Sequence, residues 1–465
     1  MHDGMAGRES LLNREPVRKG RYVLYWMQAS QRAVENPALD AAIARANSLD
    51  LPVLCVFGLT ASYPEANLRH YAFMIEGLAE TRASLARFGI TLTVLRAEPD
   101  EAALAVAGEA ALIVCDCGYL RHQRRWRARV AKESPCAVLQ VESDAVVPVA
   151  AASTKAEWSA ATLRPKILKL RDGYLAPTPA RATPFRAPRP KRDSLGISVP
   201  GAVSGLDGEL LEALPLDRSV APAEGTKGGT SRALALLHSY IEEKLPFYAD
   251  ERNDPGLETQ SGLSPYLHFG QVSPITIARA VRRASGVSEA ARVAFLEQLI
   301  VRRELSMNFV AHTAAYDSLA CLPAWARGTL AAHARDARPH QYSARQLEEG
   351  RTHDPYWNAA MIEMRLTGRL HGYMRMYWGK KIIEWSPSPA AAFRTALRLN
   401  NRYFLDGRDP NSYAGVAWCF GLHDRPWQQR PIFGIVRYMN ESGLRRKFDI
   451  EGYVRRIEGL GKERS

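Results

Sequence analysis

The sequence predicts an α/β plus all-α protein, in which a doubly wound, Rossmann-like parallel sheet leads through a long linker into an all-helical domain. Three observations carry that expectation. Apolar, β-branched runs alternate five times with helical stretches before residue 150; residues 151–229 are rich in Pro, Ala, Gly and Ser; and no convincing strand follows Thr230. Residues 1–20 lack apolar periodicity and read as a flexible tail. The strands of the α/β domain (residues 21–150) are Tyr22-Val-Leu-Tyr-Trp26, Pro52-Val-Leu-Cys-Val-Phe57, Ile90-Thr-Leu-Thr-Val-Leu95, Ala111-Leu-Ile-Val-Cys115 and Ala137-Val-Leu-Gln-Val141, runs of the kind buried on both faces of a sheet. Helices are expected over Pro37–Asn47, Leu68–Phe88, Glu101–Ala107 and Arg121–Lys132. The first strand is followed by Met27-Gln-Ala-Ser-Gln-Arg32 rather than GxGxxG, which argues against an ordinary NAD-binding unit.

The linker contains Ala176-Pro-Thr-Pro-Ala180 and Pro188-Arg-Pro190, while Trp158 and Arg164-Pro-Lys-Ile-Leu-Lys-Leu170 suggest that part of it docks. In the helical domain (residues 230–465), apolar spacing predicts helices over Ser231–Lys244, Pro274–Ala284, Glu289–Phe309, Trp357–Arg369 and Pro389–Leu399. Ser273-Pro274 and Ser388-Pro389 serve as N-cap and first-turn proline.

A chain of 465 residues that is 46% hydrophobic and 24% charged is a folded protein, neither disordered nor a disulfide-stapled miniprotein. There is no long uncharged apolar run and no secretory signal, so no membrane is expected and the location is read as cytoplasmic. The six cysteines read as reduced thiols, Cys55 and Cys419 among them, and Cys115-x-Cys117 lacks the second ligand pair of a zinc site, so no metal is expected. From Thr226 onward 34 Lys and Arg face 24 Asp and Glu, against 28 and 25 in the rest of the chain. That basic excess suits a polyanion such as nucleic acid, or simple solubility.

Six of the nine tryptophans, Trp325, Trp357, Trp378, Trp385, Trp418 and Trp427, lie in the helical domain. An indole can fill a core, stack on a base or carry an electron. Trp378 and Trp385 stand seven apart, two turns on one helix face, and Trp357, Trp378 and Trp418 sit among polar residues. A second polar constellation, Gln260-Ser-Gly-Leu-Ser-Pro-Tyr-Leu-His-Phe-Gly-Gln-Val-Ser273, offers the hydroxyls and amide N–H groups that can hold phosphate.

Leu263–Ser273 resembles the flavin-binding segment of the photolyase/cryptochrome superfamily. Arg252-Asn-Asp-Pro255, Thr352-His-Asp-Pro-Tyr-Trp-Asn358, His371-Gly-Tyr-Met-Arg-Met-Tyr-Trp-Gly-Lys-Lys381 and Leu405-Asp-Gly-Arg-Asp-Pro-Asn-Ser-Tyr-Ala-Gly-Val-Ala-Trp418 look like class II cyclobutane pyrimidine dimer photolyases, as does Tyr25-Trp-Met-Gln-Ala-Ser-Gln-Arg-Ala33. The resemblance implies an N-terminal antenna domain, a helical FAD domain and repair of dimers in UV-damaged DNA by electron transfer from light-excited reduced FAD. It places Tyr248, Leu263 and Ser264 around the FAD phosphates and ribose, an Arg375–Asp406 ion pair beside the ring, and Asn400 facing flavin N5. Trp378, Trp357 and Trp385 match the class II electron chain, with Trp378 nearest the flavin and the others leading toward the surface. Trp418 and Met376 match contacts to the dimer; Arg425, Trp427 and Arg437 match residues that fill the vacated space or hold the opened strand; Arg252 is expected near the lesion phosphate.

Two positions depart from the family pattern. Gln298 stands where a glutamate usually contacts the dimer carbonyls, which puts repair yield in doubt, and Arg302 stands where some members have tryptophan. Glu297 would replace that carboxyl only through a one-residue register shift, about 100° of helix rotation. The alternative reading is a cryptochrome-like photoreceptor with little or no repair. The antenna crevice would hold a deazaflavin, a folate or nothing, and a monomer is expected.

Overall fold

The computed structural model describes residues 7–176 and 201–462. Six strands form one sheet: β1 (Glu9–Leu11), β2 (Tyr22–Trp26), β3 (Val53–Gly58), β4 (Thr91–Leu95), β5 (Ala110–Asp116) and β6 (Val138–Val141), in the order β1-β6-β5-β2-β3-β4. β2 to β6 are parallel, and β1 joins the β6 edge antiparallel. Every residue of β2, β3 and β5 is buried, which is why these segments read as unbroken apolar runs. Alternate side chains feed two cores, with Val23, Tyr25 and Cys55 on one face and Tyr22, Leu24 and Trp26 on the other. The intervening helices α1 (Pro37–Leu49), α2 (Leu68–Arg87), α3 (Pro99–Ala107) and α4 (Arg121–Glu133) begin where periodicity placed them, apart from α3, which starts two residues earlier.

The expected flexible tail is corrected from residue 7 onward. Glu9–Leu11 pairs with Leu139–Val141, Asn13 Nδ2 donates to Ala131 O and Cys136 O, and the buried Arg8 guanidinium donates to the carbonyls of Glu142, Ala145 and Val146. Main-chain pairing and guanidinium–carbonyl bonds hold this segment, so it needs no apolar period; residues 1–6 lie outside the described residues.

In the linker, residues 177–200, with Pro188–Pro190 and most of Ala176–Ala180, likewise lie outside the described residues. Its expected docking is real but differently made. A helix spans Ala160–Leu175 and buries Leu163, Ile167, Tyr174 and Leu175 in a core of the helical domain, whereas Trp158 itself is 59% exposed. Beyond residue 230 the described residues are helical, with one isolated bridge, Arg430 to Gly434. Ser273 and Ser388 cap as expected, their Oγ atoms accepting from Ile275 N and Ala391 N at 3.1 and 3.2 Å. The helix expected over Glu289–Phe309 is interrupted: Glu289–Leu296 and Arg303–His312 flank a π-helical turn, Glu297–Arg302. A π turn inserts one residue into the ladder, and such turns often mark functional sites.

The two domains meet through buried arginines. Arg32 Nη1 reaches Asp144 at 2.8 Å and Gly270 O at 2.9 Å. Gly270 has φ +64, and a Cβ there would stand 1.9 Å from Ala29 O, so the contact of the two main chains requires glycine. Arg69, at the start of α2, donates to Met364 O and Tyr403 O, at the ends of two helices of the other domain.

Candidate functional site

Three helices, Gly372–Trp385, Pro389–Tyr403 and Pro410–Cys419, converge on one cavity. Each presents residues three or four apart: Arg375 and Trp378 from the first, Ala396 and Asn400 from the second, Asn411, Gly415 and Cys419 from the third. His371 opens the first helix, its Nδ1 accepting from Tyr373 N at 3.1 Å. Small residues keep the space open, and a Cβ on Gly415 would meet nothing within 4 Å. Arg375 Nη2 lies 3.3 Å from Asp406 Oδ1, and its guanidinium covers the Phe404 ring at 3.9 Å from the centroid. The expected ion pair is therefore formed, with a cation–π contact beneath it that no motif announced. Asn400 is 2% exposed, and its Nδ2 donates to Asn401 Oδ1 at 3.1 Å, which leaves Oδ1 as acceptor.

The cavity fits a polar aromatic cofactor: Trp378 Nε1, in its wall, is buried without a hydrogen-bond partner in the structure, a costly state that a bound polar group would relieve. Away from that wall Arg369 Nε, Thr259 Oγ1 and Tyr240 OH are buried without one as well. Arg369 is a residue sequence reading missed. It follows the helix-ending Gly368, and its Nη1 stands where a Cβ on Gly262 would come within 2.9 Å. Burial lowers its pKa, while Tyr266 and Asp406 oppose that shift, so it links the Gln260–Ser273 segment to the Arg375–Asp406 pair. Tyr248 and Leu263 are buried in the core beside that segment, with Tyr248 edge-on to Phe295 at 5.4 Å, while Ser264 is exposed at a helix start.

The three tryptophans are brought together. Trp357 Nε1 donates to Trp378 O at 3.0 Å, and the Trp357 and Trp385 rings meet edge-on at 5.6 Å. Trp357, Trp378 and Trp385 are 0%, 2% and 2% exposed. The expectation that the row leads toward the surface needs a correction at its end, because Trp385 is itself covered by Tyr342 and His353, at 5.4 and 5.3 Å.

A second group lies on the loop after Cys419. The Arg437 guanidinium covers Trp427 at 4.3 Å and Trp418 at 5.6 Å, and Arg425 covers Trp427 at 5.3 Å. Arg437 Nε also pairs with Asp424 at 3.2 Å. Trp418, Arg437, Trp427 and Arg425 thus form one cation–aromatic ladder with Trp427 39% exposed. Met376 is half-buried beside Arg375 in the chain. Gln298, Arg302 and Arg252 line a separate cavity of about 410 Å³ with Arg164 and Arg171 of the linker helix. Gln298 is exposed on the π turn, whereas Glu297 is held by Arg164 at 2.9 and 2.7 Å and by Arg302 at 3.2 Å. Although the helix register does change here, those ion pairs turn Glu297 toward the linker helix.

A cavity of about 130 Å³ between the domains lies beyond the carboxyl ends of the strands, at the point between β2 and β5 where strand order reverses. Gln28, Thr60, Cys117 and Trp126 line it from one side, His268 and Arg303 from the other. The Met27–Arg32 loop gets its shape from a carboxylate: Asp116 Oδ2 accepts from the N–H groups of Gln28, Ala29 and Ser30, each at 2.9 Å. On the opposite wall, burial pushes the Asp409 carboxyl up, but the His268 hydrogen bond at 3.2 Å, the charges of His268 and Arg303 and the Asn411 N–H together outweigh it and hold the carboxyl down to about 2. The crevice is expected from the sheet, but the spread of its lining residues along the chain hides from sequence reading which of them form its walls.

This architecture, an α/β domain clamped onto a helical domain with a tryptophan row ending at an Arg–Asp–Asn cavity, defines a member of the photolyase/cryptochrome superfamily. A bacterial class III photolyase from Agrobacterium tumefaciens has the same fold, with a TM-score of 0.71 at 18% identity over 95% of this chain and 87% of the other. Residues 23–184 match the DNA photolyase family. The chain is 49% identical to a deoxyribodipyrimidine photo-lyase of Methanothermobacter thermautotrophicus, covering 98% of both, and 38% identical to one of Arabidopsis thaliana, covering 94% of this chain and 89% of the plant protein. The chain belongs to the DNA photolyase family and is an enzyme of that family.

Proposed function

We propose that the protein is a class II deoxyribodipyrimidine photolyase that uses FAD and light to split cyclobutane pyrimidine dimers in DNA. The observation that carries this is the buried Trp385–Trp357–Trp378 row ending at the cavity of Arg375 and Asn400. Arg375, Asp406, Asn400, Tyr248 and Leu263 would hold FAD, which when bound would supply light absorption and an electron for opening the cyclobutane ring. Arg375 favours an anionic reduced ring, while Asp406 and Phe404 fix the guanidinium in place. Asn400 Oδ1, left free to accept, would take a ring N–H without removing charge. The tryptophan row would conduct electrons inward to an oxidised cofactor, a preparatory step.

A dimer reaches the site only after leaving the duplex, at a cost of a few kcal/mol that is smaller for a distorted lesion. Trp418 and Met376 give an apolar wall for the flipped bases. Trp427, backed by Arg425 and Arg437, fills the gap left behind, and Arg252 and Arg302 hold phosphates of the opened strand. The cavity between the domains suits an antenna chromophore of deazaflavin or folate type, stacked on Trp126. The protein works on DNA as a monomer in the cytoplasm.

The test is repair of a thymine-dimer oligonucleotide by chemically reduced protein in blue light and in darkness. Loss of dimers only in the light supports the proposal; bound, photoreducible flavin without repair would favour the photoreceptor reading. In the same assay Gln298→Glu is expected to raise repair per photon by about twofold or more, because a protonated carboxyl donates to a dimer carbonyl and shares a proton where an amide only donates. An unchanged yield would show that the exposed Gln298 does not meet the dimer.

A further inference from the structure

Trp385 ends the tryptophan row but is 2% exposed, so a reductant dissolved in water does not reach its ring. Tyr342 covers it edge-on at 5.4 Å and 80°, and Tyr342 N donates to Trp385 O at 3.2 Å, which fixes the two residues together. The Tyr342 phenol oxygen accepts from the main-chain N–H of His353 at 3.0 Å and lies 2.6 Å from His353 Nδ1. With the neutral His353 imidazole carrying its proton on Nε2, the phenol hydrogen points at Nδ1. His353 is exposed and stacks on His340 at 3.9 Å. Burial and then His340 lower its pKa, Lys381 adding to this and Asp354 and Glu384 opposing it, so the ring is a neutral base at pH 7. On the inner side the Lys381 ammonium lies 5.5 Å from the Trp385 centroid and pairs with Glu384 at 2.8 Å. A cation there disfavours positive charge on the indole.

We propose that Tyr342 is the outermost electron donor of the row and that His353 takes its proton. This rests on the reading of the tryptophans as an electron chain, in which light-excited oxidised flavin is the oxidant and leaves a radical cation on Trp385. One electron passes from Tyr342 to that cation, restoring neutral Trp385. The Tyr342 O–H bond breaks, its proton forms the N–H of a His353 imidazolium, and Tyr342 is left as a neutral phenoxyl radical. Positive charge moves to an exposed ring, and the oxidising equivalent moves to a phenol that a dissolved thiol can reduce.

Transient absorption and freeze-quench electron paramagnetic resonance of flavin-loaded protein, with dithiothreitol as reductant, test the step. The wild type is expected to show a neutral tyrosyl radical that forms more slowly in heavy water. Tyr342→Phe keeps the ring over Trp385 and is expected to lose that radical and at least about fivefold in photoreduction yield, a difference of roughly 1 kcal/mol. His353→Gln is expected to slow tyrosyl formation while leaving Tyr342 in place. Tryptophan radicals alone in the wild type, or an unchanged yield in Tyr342→Phe, would overturn the proposal. A Trp357→Phe control separates the causes: if its photoreduction is blocked while Tyr342→Phe is normal, only the tyrosine step is wrong, whereas normal photoreduction in Trp357→Phe overturns the chain and this step together.

Discussion

Replacing Trp378 with phenylalanine is expected to leave FAD bound and to slow its photoreduction at least about tenfold, some 1.4 kcal/mol or more of activation free energy. The substitution is clean for reasons visible in the packing. Trp378 Nε1 has no protein partner in the structure, so removing it orphans no other protein group. A phenyl ring still fills most of the space beside Phe404, so the cost stays below the roughly 3–5 kcal/mol of truncating a buried aromatic to alanine. Trp357→Phe would, in addition, remove the donor to Trp378 O and shift the helix carbonyl it binds. Trp378 stands between the row and the Arg375–Asn400 cavity, and phenylalanine is too hard to oxidise to replace it as a relay. Absorbance of the illuminated protein measures the rate, and its flavin content is the control for binding. Unchanged photoreduction at full flavin content would mean that electrons enter by another route and that the row is a packing feature.

How much of this was legible in the sequence depends on the kind of contact. The parallel strands were readable because burial on both faces demands apolar residues throughout, as in Ala110–Asp116. The edge strand Glu9–Leu11 was not, since main-chain pairing leaves no side-chain signature. Arg375, Asp406, Asn400 and the tryptophans are recognisable through resemblance, and the structure assembles the ion pair and the row. Phe404 beneath Arg375 and Arg369 beside Gly262 were missed because each acts through a neighbour distant in sequence. Gln298 was noticed as a residue type, but the π turn that exposes it and the ion pairs that hold Glu297 are tertiary features. The interdomain cavity was least legible, since its walls come from the ends of separate strands and from both domains.

A large pH effect on stability is expected at Glu304, on the clamp between the domains. Its Oε1 accepts from Val146 N at 2.7 Å and from Val147 N at 3.2 Å, across the domain boundary, and it is 2% exposed. The same segment is held by Arg8, which donates to Val146 O at 2.7 Å, and by Arg303, which donates to Asp144 O. Burial pushes the Glu304 carboxyl up to about 8, against the pull of both main-chain donors and of Arg303. An unfolded glutamate titrates near about 4.3, so between roughly pH 4.3 and 8 the folded protein holds a proton that the unfolded chain has released. Stability therefore falls as pH rises through that window, and the loss is complete above the folded value. At about 1.4 kcal/mol per pH unit the total is on the order of a few kcal/mol. Glu304→Gln keeps an oxygen to accept from Val146 and Val147 but does not titrate, so its stability relative to the wild type is expected to rise by about that amount between pH 5 and pH 8. Glu142, whose pKa is also raised, first by burial, remains in both proteins, but its charge also raises Glu304, so the difference includes the coupling of the two carboxyls. Urea unfolding at several pH values measures it. A difference that stays flat would mean that Glu304 is already ionised at pH 5, with the two N–H donors and Arg303 outweighing its burial, and that the domains are clamped by a charge rather than by a neutral acid.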